Sequence, residues 1–183
     1  MVKTLCTILI TLLSIASNGQ IFKNVFLKGL INKKNGDSII CLVKTNNSYQ
    51  YDKRVEYKLN NSDSVYQINI SEIKKMQIDS LFFENVIFYG NEKILPIVER
   101  GKITLFFSFN LYKNGYNPEN YFVAEKDSHY FPIENKTYKF ILKHLTNDCH
   151  YIFDKIGKKG YKYDDVLKII TAYNNCETTY SSK

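Results

Sequence analysis

Cysteine, histidine and paired carboxylates are the residues of this chain that could do chemistry. Asp148-Cys149-His150 sets a carboxylate, a thiol and an imidazole on consecutive positions. A nucleophilic cysteine needs a base within hydrogen-bond reach and a depressed pKa. Neighbours in sequence point in different directions on a helix, and Asp148 opposes a thiolate that the helix N-terminus would favour. The triplet is therefore a weak nucleophile candidate. His129, His144 and His150 are few and irregularly spaced, and with Cys149 they make a zinc set only by tertiary accident. Glu119 with Glu125 or Asp127 is the carboxylate pair to consider. A glycosidase pair is defined by separation in space, and solvent-facing strand ends and loops are the plainer expectation. No Gly-rich phosphate loop, GxSxG elbow or HExxH occurs. Asp164-Asp165 stands where a helix should begin, so capping and the macrodipole account for it. No catalytic, cofactor-binding or metal-ligating residue is assigned.

A structural reading of the cysteines is stronger. Cys149 opens one expected helix and Cys176 closes the next. In an antiparallel helical hairpin those ends meet, with a mismatch of about one turn that fraying or a bend absorbs. A Cys149–Cys176 disulfide is expected, contributing about 3–4 kcal/mol in the chain-entropy model. Cys41 alternates with Ile39 and Val43 and reads as a buried free thiol.

The elements that must position these residues follow from periodicity. Ile103, Leu105, Phe107, Phe109 and Leu111 alternate with mostly polar residues, the pattern of a half-buried strand, with Phe106 the large apolar exception. Glu99-Arg100-Gly101 supplies a turn that joins this strand to Ile94–Val98 in a central hairpin. Pro96 cannot donate to a ladder, so its strand is expected at an edge or bulged there. Upstream, strands are expected around 25–31, 39–43, 55–59 and 66–70, separated by Asn35-Gly36-Asp37, Asn46-Asn47-Ser48 and Asn60–Asp63. Residues 71–79 read as strand and loop, and 81–89 as a further strand. A loop over 113–120 precedes two short strands, Tyr121–Glu125 and His129–Ile133.

After Pro132 the period changes to 3.6. Tyr138, Ile141, Leu142 and Leu145 share one helix face, and a shorter helix with Ile152, Phe153 and Ile156 is capped by Asn147 or Asp148. Gly157 or Gly160 stops it. A last helix, capped by Asp164, buries Val166, Leu167, Ile170 and Tyr173. The fold class is α+β: an antiparallel β-rich meander, sandwich or partly open barrel followed by a helical cap of two or three helices. One domain is expected over 20–183, with the β-rich core at 21–133 and the cap at 136–176.

Residues 1–19 read as a secretory signal peptide: Lys3, an apolar run from Leu5 to Ile15, then small residues before Gln20. The run is too short for a stable membrane span, and no second one follows. Cys6 lies near its start, against a lipoprotein anchor. Three cysteines then remain in a disulfide-permissive compartment. The net charge of +7 becomes +6 once Lys3 leaves. The lysines are dispersed and only Arg54 and Arg100 are arginines, so the charge reads as a solvated surface rather than a nucleic-acid interface. Fifteen Tyr and twelve Phe could stack on sugar or peptide, but most Phe alternate into the core and no Trp is present.

The chain resembles a family of short secreted proteins of Gram-negative bacteria that has no assigned function. The likeness rests on the leader ending at Gln20, Gly36-Asp37-Ser38-Ile39, Val98–Leu105, the Tyr121–Glu125 strand, and the ending Leu145–Cys149, Tyr161-Lys162-Tyr163 and Tyr173–Cys176. The resemblance implies a secreted β-rich protein with a helical C-terminus, and it carries no catalytic residues. Together these readings favour an exported, periplasmic or secreted, non-enzymatic binding or structural protein, with a protein or glycan of the cell envelope as partner and no cofactor. The alternative is a small secreted hydrolase whose site is assembled across strands.

Overall fold

The computed structural model describes residues 25–45, 51–88, 90–110 and 119–176. The expected signal peptide, the expected Asn46-Asn47-Ser48 turn and most of the expected 113–120 loop lie outside those residues. The fold is α+β: a single ten-stranded antiparallel sheet, not closed, followed by three helices. The strands are β1 (Phe26–Lys33), β2 (Ser38–Lys44), β3 (Arg54–Lys58), β4 (Tyr66–Asn69), β5 (Ile73–Ile78), β6 (Leu81–Phe88), β7 (Asn91–Glu99), β8 (Thr104–Asn110), β9 (Glu119–Lys126) and β10 (His129–Ile133). Their spatial order is β10-β9-β8-β7-β6-β5-β1-β2-β3-β4. Each strand pairs antiparallel with the next in sequence except β4 and β5, between which the chain returns to β1's free edge through a 3-10 turn at Ile70–Glu72.

Local chemistry sets these turns. Gly36 adopts φ 98° in the β1–β2 turn, a conformation open to glycine at little cost. Asp127 and Ser128 both have positive φ, 53° and 63°, between β9 and β10. Two left-handed residues match the right-handed twist of a tight hairpin. At Gly29 the reason is packing: an added Cβ would lie 2.7 Å from Val43 Cγ2 and 2.8 Å from the Gln77 carbonyl oxygen. Only a glycine lets β2 and β5 flank β1 this closely.

The sheet carries cores on both sides. Ile31, Val43, Val55, Ile73, Met76 and Phe83 bury one face of the N-terminal half, and the backbone of Tyr51 bridges to Ile94 of β7 across it. Val86, Leu95, Phe106 and Val123 bury the opposite face further along, where β10 turns back toward β6. The helices cover the third cluster, in which Ile103, Leu105, Ala124 and Ile133 meet Leu142, Ile152, Ile169 and Tyr173. The central strand is therefore not half-buried: Phe106 and Ser108 are as enclosed as Leu105. Pro96 is not at an edge, and the bulge expected as the alternative lies just after it. The proline is the last residue of β7 paired with β6; pairing with β8 starts at Ile97, and the register shifts between Ile97 and Glu99. A residue without an N–H fits where one ladder hands over to the next.

The helices are α1 (Tyr138–Leu145), α2 (His150–Phe153) and α3 (Val166–Asn174). Gly157 and Gly160, at φ 91° and 77°, carry the chain from α2 toward α3. On α3 the buried residues are Val166, Ile169, Ile170 and Tyr173, while Leu167 is exposed. Position 169 lies three residues from 166 and four from 173, so it holds the inner stripe that 167 leaves.

Candidate functional site

The thiol reading ends at α2. Cys149 is buried at the helix N-cap and disulfide-bonded to Cys176, two residues beyond α3, with Cα atoms 6.5 Å apart. His150 is exposed on the first residue of α2. Asp148 caps nothing; its carboxylate oxygens each accept from the Tyr173 hydroxyl at 2.9 Å. Lys126 donates to the Tyr173 hydroxyl at 2.8 Å and to the Leu145 carbonyl at 2.7 Å, and lies 3.6 Å from Asp148. Burial opposes the charge on Lys126, but the Tyr173 hydroxyl and the Asp148 carboxylate outweigh it and hold the ammonium above the usual lysine range. Tyr173 is buried, and burial raises its phenol. The group fastens β9 to α1 and α3, with each donor matched to an acceptor.

A second fastening lies at the same helix end. The Asn174 amide accepts from Ile103 N–H and donates to the Ile103 carbonyl, both at 2.9 Å. Lys102 donates to the Cys176 carbonyl. Gly101 lies beneath Asn174, where an added Cβ would fall 2.3 Å from the amide carbon. The Val98–Leu105 stretch is thus the floor on which the C-terminal helix is held.

The other sequence candidates are dispersed. Glu125 accepts from Ser128 N–H at 2.9 Å, bracing the β9–β10 turn, and the Glu119 side chain lies outside the described residues. Asp165, rather than Asp164, accepts from Lys162 N–H at 3.0 Å, because the 3-10 turn Tyr163–Asp165 shifts the capping position by one residue. His129 contacts the Asp127 carbonyl, and His144 packs on Phe131 with ring centres 5.7 Å apart. These two histidines line a cleft of about 420 Å³ with Lys126, Asp127 and Asn147, and no Ser, Thr or Cys lines it. No group of three or more His, Cys, Asp or Glu able to hold a metal occurs among the described residues.

A different surface emerges from strand register. Ile40 pairs with Leu30, Leu30 with Gln77, and Gln77 with Phe82, so these four form one row across β2, β1, β5 and β6. Their side chains stand opposite the buried Ile31–Met76–Phe83 row. Ile40 is 72% exposed and Phe82 51%. The next row is polar: Ser38, Asn32, Lys75 and Glu84, with Arg100 donating to Glu84 at 2.9 Å. The rows border a groove of about 460 Å³, which shares Phe82 and Arg100 with a smaller one of about 290 Å³ beside Ile97–Glu99. Exposed Lys28 and Lys75 form no ion pair among the described residues and stand on either side of Leu30 along the sheet. The sequence contains one hint of this face, the apolar Ile40 on the side of β2 that Ile39, Cys41 and Val43 leave outward.

Comparison with protein-family models, curated proteins and solved structures found no match. Among the described residues, no helix is long and apolar enough to cross a membrane.

Proposed function

We propose that this chain is an exported, non-enzymatic binding protein of the cell envelope, whose sheet face takes an extended peptide segment of a partner protein. The supporting observation is the Ile40–Leu30–Gln77–Phe82 row: a shallow apolar strip left open on a well-packed sheet, with cations beside it. An extended chain presents alternate side chains to one face about 6.6 Å apart, while neighbours in the row stand about 4.8 Å apart, so its apolar side chains would seat over the row without matching it position for position. Apolar residues of the ligand would seat on Leu30 and Phe82, and its carboxylates would face Lys28 and Lys75. A single exposed ring favours peptide over glycan, which is held by broader aromatic platforms. The 1–19 leader supports export, and the Cys149–Cys176 disulfide suits an oxidising compartment.

The test is a titration of end-blocked decapeptides with alternating Leu and Glu, monitored by NMR of the labelled protein. Shifts confined to β1, β2, β5 and β6, and an affinity about tenfold weaker in Phe82→Ser, support the reading. Shifts at the β9–β10 hairpin instead, or none, refute it. The hydrolase alternative rests on the His129–His144 cleft; turnover of a model ester or glycoside that fails in His144→Ala would support it.

A further inference from the structure

The helical cap carries a second surface of different chemistry. Residues 136–176 hold eight lysines against four aspartates. All five ion pairs among the described residues use cations between Lys34 and Lys126, so none of those eight lysines is neutralised by a carboxylate. Several lie over aromatic rings instead. Lys155 Nζ stands 3.4 Å from the ring centre of Tyr151 and 5.4 Å from that of Tyr161, with Lys168 5.2 Å from Tyr161 on another side. Lys143 stands 4.7 Å from the Phe153 ring. Lys139 reaches Gly157, where an added Cβ would be 2.9 Å from its Cε. These contacts join α1, α2 and the Gly157–Gly160 loop into one patch, on which Lys158 and Lys159 are exposed. Phe140, beside Lys139 and one turn from Lys143, is 76% exposed, and Tyr151 is 65% exposed. No other large apolar side chain among the described residues is more open than Phe140.

We infer that this patch docks the protein on an anionic lipid surface. Unpaired lysines alone would suit any polyanion. Phe140 and Tyr151 among them are what an interface needs, because aromatic side chains settle at the headgroup level while lysines snorkel toward the phosphates. The fold leaves the Phe140 ring in water, and a lipid interface would bury it. The opposing charges are few: Asp154 and Asp164 are exposed nearby, and Asp165 is engaged with the Lys162 backbone. The patch lies on the cap, apart from the row on β1, β2, β5 and β6, so the inference does not depend on peptide binding there.

Flotation with large unilamellar vesicles tests it, using protein purified from a host that exports the full chain. The protein should bind vesicles of equal parts phosphatidylglycerol and phosphatidylcholine, bind phosphatidylcholine alone poorly, and detach as salt rises. Lys158→Glu with Lys159→Glu removes two unpaired exposed cations and should weaken binding by at least about 30-fold. Phe140→Ser should weaken it by about tenfold, with the loss persisting when salt is raised. Thermal melts of both variants should match the parent, and Phe82→Ser should bind vesicles normally. Absence of binding at low salt, equal binding to both vesicle types, or unchanged affinity in the lysine variant overturns the inference. Loss in the lysine variant with Phe140→Ser unchanged also overturns it, in favour of a diffuse polyanion site.

Discussion

Replacing both Cys149 and Cys176 by alanine would measure how far the cap depends on its crosslink. The bridge spans 27 residues of chain. Closing a loop of that length removes about 3.5 kcal/mol of conformational free energy from the unfolded chain in the entropy model. Alanine in place of buried Cys149 adds only a small packing loss, because the sulfur is a small part of that core. Unfolding entropy for a domain of about 160 residues is about 0.3 kcal/mol per degree, so the melting temperature should fall by about 10 °C. The cap should still fold, since Asn174 remains bonded to Ile103 and Tyr173 to Asp148 and Lys126. The assay is a calorimetric melt of parent and variant, each with and without reductant. Reductant should bring the parent down to the variant and leave the variant unmoved. A variant within about 2 °C of the parent would refute the claim that the crosslink bears on global stability. Amide exchange that accelerates in the sheet rather than in 138–176 would refute its assignment to the cap.

Three further outcomes follow from individual contacts. Gly29→Ala should destabilise by about 2–3 kcal/mol in urea unfolding, because the new methyl would overlap Val43 and the Gln77 carbonyl, neither free to withdraw. Tyr173→Phe should cost about 1–2 kcal/mol, since Asp148 loses its donor and Lys126 one of its acceptors. Cys41 should resist iodoacetamide near pH 8 in the native protein and react once denatured, because burial pushes its thiol from 9.0 to about 11. The linked effect has a definite sign: above pH 9 the unfolded thiol ionises while the folded one stays protonated, so stability falls between pH 9 and about 11. Cys41→Ala should lose that part of the alkaline decline in urea midpoints.

Much of this protein is local physics and can be read from order along the chain. Alternation at Ile39, Cys41 and Val43 makes a strand because successive side chains must point to opposite faces. Gly36 and Asp127-Ser128 turn the chain because their backbones take left-handed angles. The switch to period 3.6 after Pro132 places the helices, and the helical hairpin brings Cys149 to Cys176. Tertiary structure decided the rest. Phe106 is buried because β10 turns back toward β6 and closes over the second face, which no pattern along one strand encodes. Ile169 displaced Leu167 from the core because the sheet fixes the rotation of α3, and Asp148 left its capping role for the Tyr173 hydroxyl, 25 residues away. The candidate groove was least legible of all. Local hairpins pair Ile40 with Leu30 and Gln77 with Phe82, but the two pairs join into one row only through the return of β5 to β1, so the common row is a property of register, not of spacing.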